Sequence, residues 1–325
     1  MAIVRLLDAE LYITYSWIPH ASKIMHGICG HTFEMIEYYW ILKDHIKTKL
    51  LWPESDINKD NLRIIIKNKY DFNDNEINNI IDNSVFEYNP KLLQCTNLLI
   101  VDGAINQKMK DITIFAKNVI LFACGDKELC KIKKENYHIL QDKRVYKEGP
   151  RTTNYVKKLL LSRYINLNFR DMKMNTLVYL TTNCRKIDIN ELEKIIIDYN
   201  ERINNSRGWL IATNEIEYYK PLIKSIGIDT DRFFEVKELP IENFHLQFNN
   251  MLYTELERKW DCSNRLLVEC KHYNKTFNMK LSEEYYKEDK ALWFRKVDLA
   301  DMDWKTKLEL NNHDDIIDIV KNIIC

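Results

Sequence analysis

The chain has 325 residues, of which 46% are hydrophobic and 30% are charged. This composition is typical of a folded protein with buried cores, and it excludes a disordered or collagen-like chain. The length favours about two domains. The 48 basic residues balance the 48 acidic ones, so no global field would hold a nucleic acid and any polyanion must contact a local patch of charge.

The N-terminal segment lacks the features of a targeting sequence. Arg5, Asp8 and Glu10 interrupt its apolar residues, so no secretory signal is predicted. No later stretch approaches the roughly 18 apolar residues of a membrane span. The eight cysteines form no CxxC pair, and no His/Cys cluster has zinc spacing, so no metal site is predicted.

Short apolar runs alternate with longer amphipathic stretches in the first half, which is the pattern of an α/β protein. The predicted elements are strands at 11–18, 49–52, Asn97–Val101, Asn118–Ala123 and 137–140, a helix at 32–46, and a partly helical polar stretch at 61–83. The runs NLLIV and NVILFA are apolar without alternation, which favours a parallel sheet covered on both faces. Residues 147–170 are expected to end the first domain.

A second alternating set follows. Its predicted elements are strands at 175–180, Trp209–Thr213, 233–236 and 276–279, and helices at 188–200, 216–226, 241–251, 263–273 and 314–324. The predicted fold class is therefore α/β, with two Rossmann-like, doubly wound domains at 1–168 and 169–305 and a C-terminal segment at 306–325.

Ligands of doubly wound sheets bind beyond the carboxyl ends of the strands, so the loops after strands carry the candidate residues. Residues 181–186 (TTNCRK) supply hydroxyls, backbone N–H groups and two cations before a helix N-terminus, a combination that suits a diphosphate. An ordinary capped loop with solvated charges fits equally well. Neither the GxGxxG nor the P-loop spacing occurs there.

Arg265 falls in the first turn of the helix predicted at 263–273, where Ser263 or Asn264 can act as the cap. The helix dipole disfavours a cation at that position unless an anion binds. Glu269 follows one turn later on the same face and could accept two ribose hydroxyls. The alternative is an ordinary Arg–Glu pair on the surface. Lys275 could act as a second cation near a donor, or it could be a solvated surface lysine.

Asp102 and Asp126 each follow a predicted strand of the first half, and either could act as a general base. The alternative for both is a turn or N-cap role. His20, His26 and His31 surround the first strand-to-helix loop at spacings that do not favour a metal triad. Polar contact with a substrate is the preferred hypothesis, because the glycines of this loop allow close approach.

The order of these segments resembles that of the GT-B nucleotide-sugar glycosyltransferases and, within them, the phage DNA β-glucosyltransferases. The resemblance runs patchwise from about residue 97 to residue 273. NLLIVDGAINQ (97–107) is similar to a strand of that family and the loop after it. NVILFACGDK (118–127) is similar to the strand that ends in the family's catalytic carboxylate, which falls on Asp126.

The second half carries the matching donor segments. NTLVYLTTNCRK (175–186) is similar to the first strand and diphosphate loop of the nucleotide-binding domain, where Arg185 matches a phosphate-binding Arg, although Thr181 and Thr182 replace the family's two glycines. VKELP (236–240) resembles the segment that holds uracil through its backbone, which falls on Leu239. Arg265 and Glu269 resemble the family's diphosphate and ribose pair, with a spacing of four in place of three.

The resemblance implies two domains facing a cleft, with the C-terminal helix packing back on the N-terminal domain. It implies a UDP-sugar donor, with the residues Thr182, Asn183, Arg185, Leu239, Asn264, Arg265, Glu269 and Lys275 on the donor side. Asp126, with Asp102 as the alternative, would deprotonate the acceptor hydroxyl, and His26 and His31 would lie on the acceptor side. A need for a divalent metal is left open.

The implied acceptor is a hydroxymethylated pyrimidine in double-stranded DNA, and the implied location is the cytoplasm of a bacterial host if a phage encodes the protein. A cell-surface glycan or a small molecule is the alternative acceptor. A non-catalytic nucleotide- or DNA-binding module of the same fold is the alternative from a different functional class.

Overall fold

The protein is described by a computed structural model. The described residues are 10–15, 30–52, 58–86, 94, 96–101, 113–123, 136–142, 154–156, 167, 172–173, 175–180, 190, 193–194, 209–213, 216–225, 233–235, 245–255, 269–270, 272–281 and 313–325. Contacts divide the chain into two compact units. The first consists of Met1–Ile165 with Leu308–Cys325, and the second of Asn166–Lys307.

The first unit contains a seven-stranded sheet in the order β3-β2-β1-β4-β5-β6-β7, and every neighbouring pair is parallel. Its strands are β1 (Leu11–Tyr15), β2 (Thr48–Leu51), β3 (Ser84–Val85), β4 (Asn97–Val101), β5 (Asn118–Ala123), β6 (Tyr137–Asp142) and β7 (Asn154–Val156). The strand order reverses between β1 and β4, which is the switch point of a doubly wound sheet.

The central strands confirm the prediction from uninterrupted apolar runs. All five residues of β1 and all five of β4 are buried, as is typical of the central strands of a parallel sheet. The bounds of β4 and β5 agree with the predicted ones. The short edge strands β3 and β7 were not predicted, since two or three residues are too few to show a period.

Four helices of the first unit are described: α1 (Gly30–Leu42), α2 (Lys59–Lys69), α3 (Asp74–Asp82) and α5 (His313–Ile324), which is last in the chain. Asn58 caps α2 by accepting from the N–H groups of Asp60 and Asn61. Asn73 and Glu76 form a capping box at the start of α3. The polar stretch at 61–83 is thus helical in two parts.

Helix α1 is enclosed, and every side chain from residue 32 to residue 39 is buried. Tyr38 packs against Phe122 of β5, with ring centroids 5.8 Å apart. The Tyr39 hydroxyl lies 2.8 Å from Oδ1 of Asn79 in α3. The Tyr70 hydroxyl donates to Oε1 of Glu37 at 3.0 Å. The helix therefore lies between the sheet and the outer helices, so its sequence is apolar on more than one face.

Helix α5 packs within the first unit, against α1, β5 and β7. Its residues Ile316, Ile317, Val320 and Ile324 are buried. Nδ2 of Asn118 lies 3.1 Å from the carbonyl oxygen of Ile323, so a strand side chain satisfies one of the free carbonyls of the last helical turn.

The second unit contains a five-stranded sheet in the order β10-β9-β8-β11-β12, again with parallel neighbours. Its strands are β8 (Thr176–Leu180), β9 (Trp209–Thr213), β10 (Phe233–Glu235), β11 (Asn250–Glu255) and β12 (Thr276–Leu281). Helix α4 (Ile216–Ser225) precedes β10 and contains Pro221. The switch point lies between β8 and β11. None of the described helices is long and apolar enough to cross a membrane.

The helix predicted at 241–251 is wrong over its described part. Residues 245–249 form turns, and β11 begins at Asn250. Ile241, Phe244 and Phe248 have a spacing compatible with a helix, whereas Met251, Leu252 and Tyr253 form a short apolar run after two asparagines. A central strand of a parallel sheet has that second pattern, and tertiary pairing decides between the two.

Candidate functional site

Each sheet has a switch point, where the strand order reverses between two neighbouring strands. In the first unit Tyr15 and Val101 are paired at the carboxyl ends of β1 and β4. In the second unit β8 ends at Leu180, beside β11. The candidate segment 181–186 begins in the sequence directly after Leu180, and Asp102 directly follows Val101. The topology therefore makes these segments the continuations of switch-point strands.

Most of the predicted site residues lie outside the described residues: His26, Asp102, Asp126, Thr182, Asn183, Arg185, Leu239, Asn264 and Arg265. Their roles stay predictions. His31 is in the first turn of α1, after β1, and its backbone alone is described. Glu269 and Lys275 are described with their side chains and partners.

Aromatic rings lie at the carboxyl ends of three neighbouring strands of the first sheet. Trp52, just after β2, packs edge-on against Tyr15 with centroids 6.5 Å apart. It lies parallel to Phe86, just after β3, at 6.3 Å. Trp52 and Tyr15 are fully buried and Phe86 is half-buried. These rings form an apolar base beneath the strand ends, and the sequence analysis did not single them out.

Glu269 is buried and hydrogen-bonded within the second unit. Its side chain is 7% exposed, and Oε2 lies 2.9 Å from Nε2 of His245. Because an ionised carboxylate can only accept, the imidazole donates in this bond. The Tyr273 ring packs on His245 at 4.7 Å, and burial together with the nearby Glu269 charge raises the pKa of Tyr273. The alternative of a surface Arg–Glu pair is wrong for Glu269.

The helical turn that carries Glu269 ends in a Schellman arrangement. The N–H of Tyr273 donates to the carbonyl of Glu269 at 3.0 Å, and the N–H of Lys275 donates to that of Cys270 at 2.8 Å. Asn274 between them has a φ of 52°. Asparagine tolerates this left-handed conformation better than most residues other than glycine, so it can end the helix and start the approach to β12.

Lys275 is buried and its ammonium group faces the protein interior. Nζ donates to the carbonyl oxygens of His245 and Phe248 and lies 3.5 Å from Sδ of Met172. It also lies 4.1 Å from the centroid of the Phe248 ring. Burial lowers the pKa of Lys275 to about 8. The alternative of a solvated surface lysine is therefore wrong.

These contacts lie at the amino-terminal edge of the second sheet. The first residues of β8, β11 and β12 are in register, with Asn250 beside both Thr176 and Thr276. His245 is in the turn before β11, and Lys275 immediately precedes β12. The structure thus places Glu269 and Lys275 at the edge opposite to the one expected to bind a donor, and their ribose and donor roles stay predictions.

His245 is the residue of this cluster that the sequence analysis missed. It lay inside a predicted helix, where a lone histidine gives no signal. Asparagines at the starts of two strands gave a usable signal. Asn175 precedes β8, Asn249 precedes β11, and Asn250 is the first residue of β11. The Nδ2 group of Asn175 donates to the carbonyl of Gln247 at 2.9 Å, which ties the turn to the start of β8. Within the described part of the chain, no cluster of His, Cys, Asp or Glu could hold a metal ion.

Comparisons with known proteins give distant structural likeness alone. No protein-family model matches the sequence, and no curated protein is detectably similar to it in sequence. A Staphylococcus aureus MnaA–UDP structure is 10% identical, with 75% of this chain and 73% of that chain covered and a TM-score of 0.38. Acinetobacter baumannii MurG is 9% identical, with 96% and 99% covered and a TM-score of 0.37. At these scores the likeness does not define a family for the chain.

Proposed function

We propose that the protein is a glycosyltransferase that uses a nucleotide sugar, with the nucleotide bound by the second unit. One observation carries the proposal: the second unit has its own parallel sheet with a switch point, and a segment suited to a diphosphate follows the switch-point strand β8. Doubly wound sheets bind nucleotides at this position. The resemblance of the sequence to GT-B enzymes, which also includes segments outside this one, supports the same proposal.

In this proposal Arg185 and Arg265 bind the diphosphate together with backbone N–H groups of Thr182, Asn183 and Asn264. Fixed positive charge at that point stabilises the negative charge that develops on the leaving nucleotide. The backbone at Leu239 holds the base, and UDP is the preferred nucleotide because that segment, VKELP, resembles a uracil-binding one.

The first unit is proposed to supply the acceptor side. Asp126, or alternatively Asp102, takes the proton of the acceptor hydroxyl while the oxygen of that hydroxyl attacks the anomeric carbon. The bond between that carbon and the diphosphate oxygen breaks, the nucleoside diphosphate leaves, and the configuration inverts. The proposed acceptor is a hydroxymethylated pyrimidine in DNA, which must leave the base stack at a cost of a few kcal/mol. A glycan or small-molecule hydroxyl is the alternative.

Ligand-dependent thermal stability tests the nucleotide part of the proposal. UDP-glucose, UDP-GlcNAc, GDP-mannose and UDP are compared, since a ligand raises stability according to its concentration relative to its Kd. We expect a UDP compound to raise the Tm, Arg265→Ala to abolish the increase, and the charge-matched control Lys224→Ala, exposed on α4, to preserve it. Failure of all four ligands to raise the Tm would refute the proposal.

A turnover assay separates the enzyme from a non-catalytic module of the same fold. Release of UDP from a UDP-sugar in the presence of hydroxymethylated DNA supports the transferase. Binding of UDP with no turnover of any UDP-sugar on DNA, glycan or small-molecule acceptors would favour the module.

A further inference from the structure

We propose that His245, Glu269 and Lys275 are positioning residues that hold the switch-point strands of the second sheet in place for nucleotide binding. This inference rests on the proposed function. It gives Glu269 a role at the amino-terminal edge of the sheet, in place of direct contact with ribose.

His245, Glu269 and Lys275 form a closed circuit of contacts. Glu269 accepts from the His245 imidazole, and the Lys275 ammonium group donates to the carbonyl of the same His245. The Schellman turn joins Glu269 to Lys275 through the chain. His245 is therefore bonded to both of the other residues, and Glu269 and Lys275 are also joined by the turn, so a shift of one residue affects the other two.

The circuit reaches all three strands around the switch point. The turn that carries His245 leads into β11, and Lys275 leads into β12. The carbonyl of Leu246 in that turn accepts from the N–H of Lys173 at 2.8 Å, just before β8. Strands β8 and β11 are the two that flank the switch point, so a shift at this edge is transmitted along strands of five and six residues to their carboxyl ends.

The energetics favour a positioning role over a purely stabilising one. A buried carboxylate and the imidazole bonded to it add little net stability, because the loss of hydration on burial offsets their attraction. The best-attested use of such a pair is to select one register among alternatives. Here the His245 and Glu269 side chains are 5% and 7% exposed, and their contact joins the turn before β11 to the helical turn before β12.

Nucleotide binding by matched variants tests the inference. Titration calorimetry with UDP and 2′-deoxy-UDP compares the wild type with Glu269→Gln, His245→Leu and His245→Gln, each shown to be folded by circular dichroism at the assay temperature. The Gln side chain at 245 keeps an N–H donor for Glu269. The control is Glu217→Gln, the same change at an exposed carboxylate of α4.

We expect Glu269→Gln and His245→Leu to weaken binding of both nucleotides by the same factor, about tenfold. His245→Gln should stay within about twofold of the wild type, and Glu217→Gln should be unchanged. If Glu269→Gln weakens UDP but not 2′-deoxy-UDP, Glu269 contacts ribose and the inference is wrong, while the proposed function stands.

Two further outcomes are decisive. If neither Glu269→Gln nor His245→Leu changes binding, the inference is wrong and the proposed function stands; if the wild type binds no UDP, both fail. Should His245→Leu not fold, hydrogen exchange in the wild type replaces it: UDP should slow exchange of the Tyr273 and Lys275 amides because binding and the circuit are coupled reciprocally. Unchanged exchange there would overturn the inference.

Discussion

Asn118 binds two partners at once: its Nδ2 group lies 3.1 Å from the carbonyl oxygen of Ile323 and 2.9 Å from Oδ1 of Asn97. The first contact joins the start of β5 to the last turn of α5, and the second joins it to the start of β4. One side chain therefore links the terminal helix to two central strands of the first sheet.

Replacing Asn118 by Ala should release α5 from the sheet. We expect a loss of about 1–2 kcal/mol in unfolding free energy, because the carbonyl oxygen of Ile323 and the side-chain oxygen of Asn97 each lose a hydrogen-bond donor. Urea unfolding measures this loss, and hydrogen exchange should become faster in α5 than elsewhere. Asn136→Ala is the control, since its amide donates to the carbonyls of Ala116 and Lys117. Equal acceleration in α5 for both variants would contradict the prediction.

Two buried tyrosines allow a comparison of charged and neutral hydrogen bonds. Tyr70 donates to the carboxylate of Glu37 at 3.0 Å, whereas Tyr39 lies 2.8 Å from the side-chain amide oxygen of Asn79. We expect Tyr70→Phe to lower the unfolding free energy by about 2 kcal/mol and Tyr39→Phe by about 1 kcal/mol, because bonds to charged groups are stronger. Chemical denaturation measures both values, and an equal or reversed order would rule out the charge-based explanation.

The buried ammonium group of Lys275 should make stability depend on pH in the alkaline range. Its pKa is about 8 in the folded protein and about 10.4 in an unfolded chain. Between these values the unfolded state binds more protons, so stability from this group rises with pH. We expect an increase of about 2 kcal/mol between about pH 7.5 and pH 9.5.

Lys275→Met is the control for this pH effect, because it keeps a long apolar side chain without a titrating group. Denaturant unfolding of both proteins across the same pH range gives the difference attributable to Lys275. If the unfolding free energy rises equally with pH in the variant and the wild type, other groups cause the pH dependence.

The proposed acceptor base gives a kinetic prediction. Asp126→Asn should lower transfer to an acceptor by about 10²–10⁴-fold while UDP affinity stays unchanged, because general base catalysis acts on the acceptor hydroxyl alone. Asp102→Asn is the matched control and should retain activity. The reverse result, with activity lost only in Asp102→Asn, would assign the base to Asp102.

Much of the sheet framework was predictable because local and tertiary preferences agree there. The runs at Asn97–Val101, Asn118–Ala123 and Trp209–Thr213 are apolar, β-branched or aromatic, and the structure has strands with those bounds. The predicted C-terminal helix at 314–324 also agrees with α5, whose apolar residues recur at a helical period.

The amino-terminal edge of the second sheet could not be predicted in the same way. Strand β11 has an apolar core of only three residues, Met251, Leu252 and Tyr253, and the residues before it have a spacing that is also compatible with a helix. The His245–Glu269 contact joins residues 24 apart in sequence. No local period encodes such a contact, since it depends on β11 and β12 pairing in parallel. Burial of Lys275 was unexpected for the same reason.

The outermost strands of the two sheets differ greatly in length. Strands β3, β7 and β10 have two or three residues, whereas β12 has six. A strand of two or three residues presents too few unpaired backbone groups to recruit another chain, which protects a protein against aggregation. Among the described outer strands, β12 is therefore the one that its length does not protect in this way.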